Sequence, residues 1–284
     1  MKHFILFIIL TCAIENELIW CQTIIDRTKY FPKQEEHIKD LPPKEKVWVF
    51  IMAGQSNMAG RGIIEPNDTI PNKRILSINN KNEWIYAKEP LHFYQPKLKG
   101  LDCGMAFATE LLTWIDSDIN IALIPCAVGG SSIDKWLNNV TFNNVQLQSN
   151  LKEKIKLGQS IGEIKAVLWH QGESDADSAK IMNYEHNLKA MYKLLREYTD
   201  NAELPILTGH LGTYADPVRY APEWKKINKI ISKVVEEDPH TYIVNTADLK
   251  PNNDKIHFNA ISQRILGKRF AQKFKEVISS LNSH

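Results

Sequence analysis

The sequence predicts an α/β fold, a single three-layer α/β/α sandwich around a parallel sheet of about five strands. Two observations carry this. Val47 to Met52 is an unbroken apolar run rich in β-branched and aromatic residues, and similar runs recur at Ile119 to Val128, Ile164 to Trp169, Ile206 to Thr208 and Tyr242 to Val244. Strands covered on both faces read this way, whereas half-exposed strands alternate apolar and polar residues. Between these runs lie stretches of helical period, and strand–helix alternation is the pattern of a doubly wound sheet.

The helical stripes follow in order. Phe107, Leu111, Trp114 and Ile115 share one face, and Ile181, Tyr184, Leu188, Met191 and Leu195 keep helical spacing. Trp224, Ile227, Ile231 and Val234 form a third stripe. Ile261, Ile265, Phe270, Phe274, Val277 and Ile278 form the last. In such sheets ligands bind beyond the carboxyl ends of the strands, so the loops after the strands are where chemistry is expected.

Composition narrows the function. The chain has 284 residues, 43% hydrophobic and 24% charged, enough for one large domain with a substantial core. Lys plus Arg number 35 against 33 Asp plus Glu, a net charge of +2. That balance excludes a nucleic-acid or anionic-membrane binder working by bulk charge. The four cysteines, Cys12, Cys21, Cys103 and Cys126, lack CxxC or Cys/His spacing, so no disulfide framework and no metal site is expected. Cys126 lies in an apolar strand and reads as a buried free thiol.

The N-terminus reads as an address. Lys2 and His3 precede the apolar run Phe4 to Leu10, which fades before Glu15. A bilayer span takes about 20 residues, so this is too short to cross one and fits a secretory signal peptide over residues 1–21. The protein is therefore expected to be exported, extracellular or periplasmic, with no membrane span after signal removal. An amphipathic or buried N-terminal helix is the competing reading. Lipid attachment at Cys12 fits less well, because Ile9-Leu10-Thr11 lacks a small residue just before the cysteine. Residues 22–45, charged and aperiodic with Pro42-Pro43, read as a leader arm, and 46–284 as the folded domain.

Four strand-end loops carry polar groups. The first, Ala53-Gly54-Gln55-Ser56-Asn57-Met58-Ala59-Gly60-Arg61-Gly62, fits neither the phosphate loop, the dinucleotide GxGxxG nor the GxSxG elbow. What remains is Ser56 on a tight strand-to-helix turn, where a nucleophile would sit, or a simple helix cap. The second, Val128-Gly129-Gly130-Ser131, offers backbone N–H groups for close approach to a ligand, or a tight turn. The third, His170-Gln171-Gly172-Glu173-Ser174-Asp175, places side-chain donors over the sheet edge or caps the next helix. In the fourth, Asp254 and His257 stand three apart, a spacing that lets a carboxylate bond an imidazole N–H and fix its tautomer. Together they supply a nucleophile, a base and oxyanion donors, the set acyl transfer requires.

On GQSNMAGRG (54–62), Glu89-Pro90-Leu91-His92, Cys103 to Ala108, PCAVGGSSI (125–133) with Trp136, WHQGESD (169–175) and Asp254 to His257, the sequence resembles the SGNH hydrolase superfamily. More narrowly, it resembles carbohydrate esterase family six, the sialate O-acetylesterases and acetylxylan esterases. The resemblance spans about residues 47–275 in the family's order. It implies a flavodoxin-like SGNH fold. It also implies Ser56 as nucleophile, His257 as general base and acid, and Asp254 as its orienting partner. The oxyanion hole would be the Ser56 N–H, the Gly130 N–H beside Gly129, and the Gln171 amide, where the wider superfamily usually places Asn. Asn57, Arg61, His92 and Trp136 are candidates for the substrate pocket, although Trp136 also reads as helix packing. Glu173 would bond the nucleophile loop or His170, or act as a direct acid.

The function implied is a secreted esterase removing acetyl groups from carbohydrates such as xylan or sialic acids, with no cofactor. Its expected partner is the acetylated carbohydrate, and neither a nucleic acid nor a membrane. A lipid esterase or thioesterase of the superfamily is an alternative, as is a silent carbohydrate-binding module, against which the intact Ser56, Asp254 and His257 argue.

Overall fold

The fold is taken from a computed structural model that describes residues 28–216 and 220–281. The expected signal segment, 1–21, lies outside the described residues. The strands are β1 (Val47–Gly54), β2 (Ile75–Ile78), β3 (Trp84–Tyr86), β4 (Asn120–Pro125), β5 (Thr141–Phe142), β6 (Val145–Gln146), β7 (Glu163–His170), β8 (Ile206–Gly209) and β9 (Thr241–Val244). Seven of them form one sheet in the order β3-β2-β4-β1-β7-β8-β9, and β5 and β6 pair separately. All neighbours in the large sheet are parallel except β2 and β3, which pair antiparallel.

The central strand β1 shows why the run Val47 to Met52 has no polar alternation. Val47, Val49, Ile51 and Ala53 face one side, against α4 (Leu147–Ile161), α5 (Ile181–Thr199) and α6 (Ala221–Glu236). Phe50 and Met52 face the other, against α2 (Gly104–Leu111) and α7 (Ala260–Leu281). Both faces are dry, and each fully buried large apolar side chain is worth roughly 1.5–3 kcal/mol. Phe50 sets the second layer by edge-on contacts with Phe107 and Phe274, ring centroids 4.8 and 5.0 Å apart. Two short helices remain: α1 (Ser56–Ala59) after β1 and α3 (Ile133–Leu137) after β4.

The sheet has seven strands instead of about five. Neither β2 nor β3 makes a long apolar run. Ser77 in β2 is buried, its hydroxyl donating to Leu123 O at 2.9 Å, a contact no local pattern reveals. Helix α4 is likewise absent from the apolar stripes, since its buried face is thin: Leu147, Leu151, Ile155 and Ile161 with Gly158 and the half-polar Lys154. Trp114 and Ile115 fall past the end of α2 at Leu111. Ile261 and Ile265, counted toward the last apolar stripe, face solvent at 68% and 37% exposure.

Residues 36–38 of the leader arm run beside β3, with Ile38 N donating to Trp84 O and Tyr86 N to Glu36 O, both at 3.0 Å. Cys103 and Cys126 are free and buried, and burial pushes the Cys126 thiol up to about 12. Among the described residues no helix is long and apolar enough to cross a membrane.

Candidate active site

The loop after β1 turns sharply because Gly54 adopts φ +135°. A Cβ there would lie 2.1 Å from His170 O, so no other residue fits. Gln55 N then donates to His170 O at 2.9 Å, and Gln55 O receives Met58 N and Ala59 N to start α1. Ser56 is thereby lifted above the sheet edge.

The loop before α7 brings the partners. His257 Nε2 lies 2.9 Å from Ser56 Oγ across 201 positions of chain. Its Nδ1 lies 2.7 Å from Asp254 Oδ2. Asp254 Oδ1 also accepts from Ile256 N and His257 N, each at 2.9 Å. Burial works to raise the Asp254 carboxyl, but the His257 bond and the two backbone donors outweigh it and hold the group at about 2. An ionised Asp254 requires the proton on Nδ1, which leaves Nε2 as an acceptor toward Ser56.

Beyond β4 the chain stays extended, with Cys126 N and Val128 N still donating to Met52 O and Gly54 O. That carries Gly129 and Gly130 alongside Ser56, in the wall of one cavity of about 480 Å³. Gly129 N donates to Gln95 Oε1 at 3.0 Å. Neither Gly130 N nor Ser56 N has a protein acceptor among the described residues. Gly130, on the cavity wall, adopts φ +79°, a conformation free of strain only for glycine.

The third loop departs from expectation. Gln171 is fully buried and is not on the cavity wall. Its Nε2 donates to Asp175 Oδ2, to Ser131 O at 3.2 Å and to Gln55 Oε1 at 3.2 Å, and Tyr184 OH lies 3.2 Å from its Oε1. With those contacts the amide has no donor left for a ligand. Asp175, which holds it, is pushed up to about 6 by burial, against the opposing bonds from Gln171 and Ile133 N. Gln55 instead lines the cavity. Its Oε1 receives Gly172 N and Ser174 N as well as Gln171, which fixes the amide so that Oε1 faces the protein. Its Nε2 has no protein acceptor among the described residues, and the sequence offered no signal separating Gln55 from Gln171 beyond their shared amide.

The other candidates divide. Glu173 and Arg61 line the cavity, joined by Gln95, Tyr220 and Trp224, which the sequence reading did not single out for the site. Asn57 is buried away from the cavity, with Glu173 Oε1 accepting from its Nδ2 at 2.5 Å. Of the two bonds foreseen for Glu173, the one to the nucleophile loop forms. The His170 ring has no hydrogen-bond partner among the described residues, lies 3.8 Å from Glu173, and is pushed down from its ordinary pKa by burial, against the opposing charge of Glu173. His92 is not in the cavity: it is buried with Nδ1 2.8 Å from Asp102 Oδ2. Trp136 is core, edge-on to Trp169 at 6.1 Å with Nε1 donating to Ser131 Oγ at 2.8 Å. A larger cavity of about 770 Å³, against Glu89, Asp102 and Arg264, contains neither Ser56 nor His257.

A largely parallel α/β/α sheet thus brings Ser56, His257 and Asp254 together over its strand ends, an arrangement suited to a hydrolase. Residues 46–276 match the family model for carbohydrate esterases, sialic acid-specific acetylesterase, and the chain belongs to that family of carboxylic ester hydrolases. It is 32% identical over 255 residues to the probable carbohydrate esterase At4g34215 of Arabidopsis thaliana, covering 82% of this chain and 91% of that protein. The crystal structure of the Arabidopsis protein superposes with a TM-score of 0.71 at 29% identity, over 83% of this chain and 99% of that one. NanS shares the fold at TM-score 0.64 and 16% identity, over 85% and 100% of the two chains. A carbohydrate acetylesterase from Xanthomonas citri does so at 0.60 and 20%, over 82% of this chain and 56% of that one.

Proposed function

We propose that the protein is an exported serine esterase that removes O-acetyl groups from carbohydrates of the acetylated xylan or sialic acid type. The observation that carries this reading is the unbroken hydrogen-bonded chain from Asp254 through His257 to Ser56, at the wall of a cavity sized for a small ligand. Export rests on Lys2, His3 and the short apolar run that follows.

In this reading Ser56 Oγ attacks the acetyl carbonyl carbon while its proton passes to His257 Nε2. Asp254 keeps the ring in the accepting tautomer and stabilises the imidazolium. The carbonyl oxygen, now an oxyanion, lies against the Ser56 and Gly130 N–H groups and the Gln55 amide, with Gln171 holding Gln55 from behind. Collapse breaks the bond to the sugar oxygen, which takes the proton from Nε2. Water then repeats the attack on the acetyl-Ser56 ester, giving acetate and free Ser56. Tyr220, half-buried on the cavity wall, offers aromatic surface to a sugar ring, while Trp224 beside the cavity is almost wholly buried.

The test is acetate release from acetylated xylan and from O-acetylated sialic acid, wild type beside Ser56→Ala. Release that disappears in the variant supports the serine mechanism and selects the sugar. A folded wild type inert on both sugars and on a small aryl acetate overturns it in favour of a silent binding module.

A further inference from the structure

Asn57 follows Ser56 in the chain, is fully buried, and its side chain bonds to two other loops. Its Nδ2 donates to Ile256 O at 3.2 Å and to Glu173 Oε1 at 2.5 Å. Its Oδ1 accepts from Phe258 N at 2.9 Å. Ile256 and Phe258 are the residues on either side of His257. Gln263 Nε2 donates to Asn57 O at 2.8 Å, and Tyr214 OH donates to Ile256 O at 3.1 Å, so both ends of this clamp are braced.

We propose that Asn57 is the positioning residue for His257, gripping the backbone on both sides of it, and that Glu173 anchors Asn57 as a hydrogen-bond acceptor. The inference rests on the esterase reading above. Asp254 orients the His257 ring, but both belong to one loop, so their bond says nothing about how far that loop stands from Ser56. Asn57 is covalently joined to Ser56. Its two contacts to the base loop therefore turn a separation of 201 positions into a local distance. The dependence is steep, since misplacing a reacting group by about 1 Å costs on the order of 100-fold in rate. Glu173 reaches the cavity wall, yet its Oε1 is committed to Asn57. The competing role for it is direct proton transfer to substrate.

The experiment measures kcat and KM on a small aryl acetate for the full chain and three variants, with Ser56 titrated by a fluorophosphonate so that rates refer to active molecules. Asn57→Ala is expected to lower kcat by about 10- to 100-fold with KM within about threefold, and to slow labelling of Ser56 by a similar factor. Glu173→Ala should move the same way. Glu173→Gln keeps an acceptor for Asn57 Nδ2 but cannot transfer a proton, and should stay within about threefold of wild type. The proposal is overturned if titrated Asn57→Ala turns over at the wild-type rate, or if Glu173→Gln falls as far as Glu173→Ala. Should Asn57→Ala not fold, the Glu173 pair decides alone. Failure of the esterase reading looks different: wild type is then inert, or Ser56→Ala keeps its activity.

Discussion

Gln171 Nε2 donates to Gln55 Oε1 at 3.2 Å, so the deeper of two amides orients the one on the cavity wall. Gln171, the amide expected from the sequence to face the ligand, is thus buried one layer back, and Gln55, the residue before Ser56, lines the cavity.

The two glutamines should therefore fail differently. Gln55→Ala is expected to lower kcat by about 100- to 1,000-fold, the usual cost of one oxyanion donor, with little change in KM. Gln171→Ala leaves the Asp175 carboxylate without its amide partner. It should cost about 1–3 kcal/mol of stability besides losing activity. Steady-state kinetics beside urea unfolding separate the two outcomes.

Asp175 predicts a pH signature. Its carboxyl is raised by burial from an ordinary 3.8 to about 6. The folded state then binds the proton more tightly than the unfolded one, so stability falls as pH rises from about 4 to about 6 and stays lower above that. A shift of about two units corresponds to about 2–3 kcal/mol. Asp175→Asn keeps an acceptor for Gln171 and Ile133 N and should flatten this part of the profile, read as unfolding free energy at pH 4 to 8 beside wild type.

Asp254 works in the opposite direction. Its folded value of about 2 lies below the ordinary 3.8, so its contribution is present above pH 4 and is lost as pH falls toward 2. His257→Ala removes the main side-chain bond that holds it down. Titration of the Asp254 carboxyl by NMR should find it moved upward in that variant, and an unchanged value would contradict the pairing.

Gly54→Ala should destabilise the protein and abolish activity together. The added Cβ would meet His170 O at 2.1 Å in a backbone conformation with φ +135°. Such positions cost about 1–3 kcal/mol in strain alone. Chemical denaturation gives the first number, and the aryl acetate rate the second.

The two tryptophans should also part company. Trp136→Phe removes the bond to Ser131 Oγ and is expected to cost about 1–2 kcal/mol of stability, with KM unchanged for sugar esters. Trp224 is on the cavity wall, so Trp224→Phe should raise KM for sugar esters more than for a small aryl acetate.

Much of the domain was legible in the sequence, because strands buried on both faces have no choice but to be apolar throughout. Val47 to Met52, Ile164 to Trp169 and Ile206 to Thr208 are read correctly for that reason. The pairing of Asp254 with His257 was legible too, since three residues of one loop suffice to bring carboxylate and imidazole together. Short edge strands were not, because β2 and β3 depend on neighbours for their hydrogen bonds and burial. Nor was α4, whose buried stripe is thin.

What the sequence determined alone was the chemistry available: a serine after the first buried strand, paired glycines after the next, two amides, and an Asp–His pair before the last helix. Tertiary structure decided which of these groups meet. Sheet order sets β4 and β7 on either side of β1, so the loops after all three strands converge beside Ser56. Burial then chose between the amides. Asp175 and Tyr184 satisfy Gln171 inside the protein, whereas Gln55 Nε2 has no protein acceptor among the described residues. A side chain's partners, and hence the direction it faces, depend on atoms far away in the chain, which local pattern does not encode.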